Sequence, residues 1–375
     1  MYEKDEINEI EEERLYENGK AEFSLNLKPI DVDIITKPLT IYNIVERLKN
    51  NEIIMDPVFQ RKDNLWDEVT QSQLIESLII RIPLPSFYFA IQHDDAYVVV
   101  DGVQRLTAIK RFMALEPGHP DKLRLQGLEY LPELDGLTYE GLPLTIRRRI
   151  NEESVTSYLI RSTTPSKVVN SIFRRINTGG MVLTPAEIKN AIYQEASPFV
   201  RRLADSVPFK EATRYSINTS RMLDREFVNR FLAFYMLGTE KYKGNLEVFL
   251  CEVLEYIETI GIESEECISA EDRFLFAMKL AYRLFEGNAF RKFRSDGRYS
   301  VLNKPLFDSV SVNLARLTDE EGAALLDRKD VLMTRYHDLL MDEKFIDIIS
   351  MGTATIENVK RRHEVIGNLI KDVLS

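Results

Sequence analysis

The residues whose types and spacing point to chemistry are Asp101, Gln104 and Arg105, in the stretch Tyr97-Val98-Val99-Val100-Asp101-Gly102-Val103-Gln104-Arg105-Leu106. An arginine grips phosphate oxygens through a planar, permanently charged fork. A carboxylate beside it can orient a water or hold a divalent cation. The flanking pattern says how these groups are positioned. Tyr97 to Val100 is an apolar, mostly β-branched run that reads as a buried strand. Gly102 permits a sharp turn, because it lacks Cβ. Leu106, Ile109 and Phe112 then recur at helical spacing, which puts Gln104 and Arg105 in a first helical turn, where N–H groups and the dipole favour an anion. Two readings stand side by side: a nucleotide-phosphate site with a metal ion at Asp101, or an Asp–Arg pair closing an ordinary strand-to-helix turn.

The surrounding elements follow from periodicity and punctuation. Residues 29–38 read as extended, and Thr40 caps a short helix over 41–48. Residues 53–61 form a short extended piece broken by Pro57, and 66–80 a strong helix ended by Pro83 and Pro85. Residues 86–92 and 96–100 flank His93-Asp94-Asp95 as a β-hairpin. Residues 117–143, rich in Gly, Pro and Leu, read as an irregular excursion over the surface. A basic helix over 144–153, a strand over 155–161 and a helix over 167–176 follow, the last stopped by Asn177-Thr178-Gly179-Gly180. Thr184-Pro185-Ala186-Glu187 is a capping box opening the next helix. From Ala196 onward the periodicity is almost only helical. The expected fold class is α+β: a small mixed sheet with helices, then an all-helical C-terminal domain. The expected division is an acidic arm over 1–28, a first domain over 29–195 and a helical domain over 196–375.

The 375-residue chain is 44% hydrophobic and 29% charged, which suits a globular protein and excludes disorder throughout. No apolar run approaches the ~20 residues needed to span a bilayer. The acidic start, Met1-Tyr2-Glu3-Lys4-Asp5-Glu6, does not read as a secretory leader. Cys251 and Cys267 form no CxxC pair, so a reducing cytoplasm is expected. A net charge of −11 argues against non-specific coating of nucleic acid, which lysine and arginine drive. Arg147-Arg148-Arg149, Arg174-Arg175, Arg201-Arg202 and Arg291-Lys292 with Arg294 and Arg298 remain as local basic faces, each readable as DNA contact or as solvated helix surface.

Three motifs in order carry a resemblance: Phe59-Gln60-Arg61, the pentapeptide from Asp101 to Arg105, and Phe173-Arg174-Arg175-Ile176-Asn177-Thr178-Gly179-Gly180. With Gln73-Leu74-Ile75-Glu76-Ser77-Leu78 and Ile82-Pro83-Leu84-Pro85 between them, the region over about 30–195 resembles the N-terminal domain of GmrSD-type, modification-dependent restriction systems. That domain belongs to the ParB/sulfiredoxin-like superfamily, whose DGQQR-type signature sits at a nucleotide-phosphate site. The resemblance implies a module that binds and hydrolyses a nucleoside triphosphate with Mg²⁺ in bacterial defence against phage or foreign DNA. Asp101, Gln104 and Arg105 fall on the signature as the catalytic group, with Asp101 the metal ligand. Gln60, Arg61, Gly102 and Asn177 fall on nucleotide-binding positions. Val103 stands where the family usually has its first glutamine, and its side chain cannot hydrogen-bond.

GmrSD-type enzymes cut DNA with a His-Asn-His-like module. The four histidines here, His93, His119, His337 and His363, show no pairing that suggests one. The resemblance therefore implies a sensor or regulatory subunit. Its expected partners are a nucleoside triphosphate, modified duplex DNA, a separate nuclease subunit and, as an open option, a second copy of the chain, but no membrane. A ParB-like DNA-binding protein without catalysis, and a metal-dependent nuclease acting through this domain itself, are the rival readings.

Overall fold

The computed structural model describes residues 11, 33–55, 66–91, 95–161, 163–164, 168–169, 172, 184–219, 222–293 and 297–375. They form two compact units: one from the described residues between 26 and 183, the other from Glu11 and those from Thr184 onward. The helix Pro185–Ile192, opened by the expected capping box, thus groups with the second unit. There Lys189 lies 2.6 Å from Glu247.

The first unit is a five-stranded sheet with helices. Its strands are β1 (Ile34–Thr40), β2 (Ile53–Ile54), β3 (Phe87–Ile91), β4 (Tyr97–Asp101) and β5 (Ser154–Ile160), in the order β1-β5-β3-β4-β2. β1 with β5 and β3 with β4 are antiparallel, whereas β3 with β5 and β2 with β4 are parallel, so the sheet is mixed. Pro38 lies inside β1, tolerated because β1 is an edge strand with one free side. The helices are α1 (Ile41–Lys49), α2 (Glu68–Ile80), α3 (Val103–Ile109) and α4 (Leu144–Glu152).

Local chemistry sets these limits. Thr40 caps α1 by accepting from the Asn43 N–H at 3.2 Å. α2 starts at Glu68 rather than Trp66, because the Asp67 carboxylate accepts from the Thr70 N–H at 2.7 Å. It ends at Arg81, whose φ of 62° is left-handed, before either proline. Leu74, Ile75, Leu78 and Ile79 are buried as their spacing requires. With Phe87, Phe89, Val99, Leu106 and Phe112 they belong to the unit's apolar interior. Each such side chain contributes about 1.5–3 kcal/mol on burial.

The stretch over 117–143 is irregular as expected, with two short 3₁₀ turns at Pro132–Leu134 and Tyr139–Gly141. It is not a surface excursion, however. Leu123, Leu125, Leu128, Leu134 and Leu142 are buried in the core of the sheet unit. Its backbone is tied down by Glu76 of α2, itself only 2% exposed. The Glu76 carboxylate accepts from the N–H groups of Glu129 at 3.1 Å, Tyr130 at 2.7 Å and Leu131 at 2.8 Å.

The second unit is helical around its own aromatic-rich core. One departure from the all-helical expectation is a hairpin, Arg291–Phe293 against Tyr299–Leu302. The basic run expected on a helix face therefore lies partly on a strand. Of the acidic arm expected over 1–28 one residue is described: the Glu11 N–H donates to the Leu302 carbonyl at 2.8 Å. The Glu11 carboxylate accepts from Lys292 at 2.6 Å and Asn303 at 2.9 Å. Deep in this unit Asp308 joins Arg230, at 2.8 and 2.6 Å, to Arg362 at 3.1 Å. Cys251 and Cys267 are buried thiols, and burial raises the Cys251 pKa to about 11. Among the described residues no helix is long and apolar enough to cross a membrane.

Candidate functional site

The turn at the end of β4 is built as its sequence requires. Gly102 has φ 103°, a left-handed conformation, and a Cβ there would drive into the Phe87 ring. Gly102→Ala therefore combines backbone strain with overpacking. It is expected to destabilise the first unit by about 2–4 kcal/mol, read as a fall in its urea midpoint. An unchanged midpoint would remove the steric account of this glycine.

One feature of β4 re-aims the acid. Tyr88 pairs with Asp101 while Phe89 pairs with Val99, so Val100 is the extra residue of a β-bulge. In a regular strand Asp101 would continue the core-facing series of Tyr97 and Val99. The bulge sets it opposite Tyr88 instead, where its side chain is 32% exposed. Tyr88 stacks on Tyr158 at 4.8 Å. Burial, reinforced by Tyr158 and Asp101, raises the Tyr88 phenol above its ordinary pKa.

Arg105 reaches back across the turn. It donates to Asp101 Oδ2 at 2.8 Å, to the Ser86 carbonyl at 3.3 Å and to the Pro85 carbonyl. Its guanidinium lies 4.7 Å from the Phe87 ring centroid. Burial draws the Arg105 pKa down while Asp101 opposes that pull, and the group stays charged. The Asp–Arg pair that closes the turn is thus real, and in this conformation Arg105 organises the site. Asp101 Oδ1 accepts nothing among the described residues.

Gln104 faces another way. Its Oε1 accepts from the Trp66 backbone N–H at 3.0 Å. The Trp66 carbonyl accepts from Gln71 at 2.5 Å, and Gln71 accepts from Arg111 at 2.9 Å. Arg111 also donates to Glu68 and to the Asp121 carbonyl, both at 2.8 Å. This relay frames a cleft of about 860 Å³ between the start of α2, the Thr107–Arg111 side of the helix and the chain around His119. Val103 packs against the core of the sheet unit, which accounts for an apolar residue at that position.

Gln60, Arg61 and Asn177 lie outside the described residues, as do His93, Arg174 and Arg175. Met55 and Trp66, on either side of Gln60-Arg61 in the chain, both line the cleft. Sequence reasoning missed Trp66, Gln71 and Arg111 as parts of the site. The available signal was the chain's only tryptophan, following the Gln60-Arg61 element.

Among the described residues no group of three or more His, Cys, Asp or Glu is placed to hold a metal ion. His363 is buried against Phe234, with ring centroids 5.0 Å apart. Burial, then Arg362, Arg316 and Arg230, push its pKa well below the usual imidazole value. His337 stacks on Phe293 at 4.2 Å and shares a 2.6 Å hydrogen bond with the Tyr299 hydroxyl. Of the basic clusters, Arg202 pairs with Glu271 at 2.8 Å and Arg201 with Asp205 at 3.5 Å.

Residues 41–194 match the family model of the GmrSD restriction endonuclease, N-terminal domain. This stretch of the chain is a GmrSD-type N-terminal domain. No curated protein and no solved structure matched the chain.

Proposed function

We propose that the protein is the nucleoside-triphosphate-binding sensor or regulatory subunit of a modification-dependent restriction or anti-phage system, its nuclease supplied by a separate chain. The observation that carries this reading is the family match over residues 41–194, which contains the glycine-turned motif from Asp101 to Arg105. The match ties the chain to restriction, and the resemblance of the motif ties it to nucleotide phosphate. Gln60, Arg61 and Asn177 complete the proposed binding set, and modified duplex DNA is the proposed signal.

The parts have assignable work. The first turn of α3 offers the positive end of a helix to an anion. Asp101, with one oxygen engaged by Arg105, keeps the other for an attacking water or for Mg²⁺. Mg²⁺ commonly binds through one or two carboxylates plus the substrate phosphates, so one acidic residue fits the ion. When bound, the ion would neutralise phosphate charge. Arg105 holds the Asp101 carboxylate in place, and Gln104 links the motif to the cleft wall at Trp66. The Val103 side chain can form no hydrogen bond, so turnover is expected to be slow relative to binding.

The engagement of Arg105 with Asp101 and two carbonyls favours binding without fast hydrolysis as the second reading. Both are tested by calorimetric binding and Mg²⁺-dependent hydrolysis of the four ribonucleoside triphosphates. Asp101→Asn, which keeps the side-chain shape, is expected to lower turnover about 10²–10⁴-fold. Saturable binding with no turnover would select the second reading. Absence of both for every nucleotide would sink the proposal.

A further inference from the structure

The cleft beside α3 lies on the Gln104 side of the motif, whereas the Asp101–Arg105 pair is built on Pro85, Ser86 and Phe87. Its size, about 860 Å³, falls in the range of small-molecule sites, about 300–1,000 Å³. Its walls carry the three kinds of group that a heterocyclic base uses. Trp66 supplies a flat aromatic surface, with Met55 and Leu115 as apolar neighbours. Lys110 supplies an ammonium that is in no ion pair among the described residues. Asp121 supplies a carboxylate, since among the described residues its hydrogen bonds use only its backbone N–H and carbonyl.

The platform is also held in place. Trp66 is clamped by its backbone at both ends, its N–H on Gln104 and its carbonyl on Gln71. Gln71 is 1% exposed and is fixed in turn by Arg111. A helix start needs only its cap, and Asp67 already provides one. The additional clamps determine where the tryptophan sits. A base stacks on such a surface whatever its identity, while an ammonium and a carboxylate at its edge discriminate between carbonyl and amino groups.

We propose that this cleft is the nucleobase subsite of the domain, with Trp66 as the stacking platform and Lys110 and Asp121 reading the edge of the base. The inference rests on the nucleotide-binding reading above. It assigns the phosphates to the motif and the base to the far side of Gln104.

Because Trp66 is the only tryptophan, its emission reports this cleft alone. The full chain is titrated with the four nucleoside triphosphates and with inorganic tripolyphosphate, following Trp66 fluorescence and, independently, calorimetric heat. The triphosphates are expected to quench Trp66, and tripolyphosphate to give heat without quenching. Trp66→Ala is expected to weaken nucleoside triphosphate binding about tenfold or more and to leave tripolyphosphate affinity unchanged. Trp66→Leu serves the same purpose should the alanine variant fail to fold. Nucleotide heat with unchanged Trp66 emission, and with unchanged affinity in the variant, overturns the subsite while leaving the nucleotide-binding reading intact. No heat from any nucleotide overturns both.

Discussion

Asp308→Ala is expected to destabilise the helical unit by about 3–5 kcal/mol, the cost typical of removing one partner from a buried ion pair. For a unit of this size that lowers the melting temperature by about 6–20 °C. Asp308, Arg230 and Arg362 have side chains only 0–1% exposed. The carboxylate receives both prongs of Arg230, and one oxygen is shared with Arg362. Its removal leaves two guanidinium groups facing each other in an apolar interior. The neighbouring His363 offers no relief, being itself held neutral by burial and by those arginines. The measurement is the thermal transition, with hydrogen exchange locating the loss at the helix Lys304–Ala315. Replacing all three residues together, as Arg230→Met, Asp308→Leu and Arg362→Met, is expected to cost less than the single change, since no uncompensated charge remains. A single variant as stable as wild type, or a triple variant no better than the single, would contradict this account.

That triad shows why the sequence was a better guide to elements than to interactions. Arg230, Asp308 and Arg362 sit on three amphipathic helices, and a charged residue on such a helix ordinarily faces water. Only the 78- and 54-residue chain separations closed by folding reveal them as buried partners. Local signals fared well where the physics is local. The strand before Gly102, the helix after it, the Thr40 cap and the Thr184 capping box all stand where the residues indicated. The hairpin Arg291–Phe293 with Tyr299–Leu302 was legible but overlooked. Asp296-Gly297 followed by Tyr299-Ser300-Val301-Leu302 is a turn-and-strand signal, and the basic residues around it drew the reading toward a helix face.

The site was legible in part. Asp101 and Arg105, four residues apart, suit a phosphate site and a turn-closing pair equally well, and the pair is what the folded chain builds. The bulge at Val100 could not be read, because strict alternation would have aimed Asp101 into the core. Gln104 finds its partner 38 residues upstream, at Trp66, a link that no periodicity announces. The cleft is a product of such long-range links, and for that reason it appears only in the folded unit.

Glu76→Gln is the second large effect expected, and it joins stability to the cleft. Hydrogen bonds to an ionised group are worth about 1.5–3 kcal/mol each, and Glu76 accepts three from consecutive backbone amides. Glutamine keeps the shape but places an NH₂ donor against an N–H donor, leaving at least one of these part-buried amides without its acceptor. The expected loss is about 2–4 kcal/mol, equivalent to exchange of the amides at 129–131 faster by roughly 10²-fold. The consequence should propagate along the same irregular stretch, because His119, Pro120 and Asp121, which line the cleft, belong to it. The Arg111 bond to the Asp121 carbonyl and the Leu123 N–H bond to the Arg111 carbonyl tie that wall to the helix bearing Lys110. Nucleotide affinity is therefore expected to fall in Glu76→Gln although no residue of the Asp101–Arg105 pair has changed. Tripolyphosphate affinity, which the proposal assigns to the motif, is expected to hold. Unaltered exchange at 129–131 would show that the carboxylate does not anchor this stretch. Faster exchange with full nucleotide affinity would show instead that the wall around His119 is not needed to hold the base.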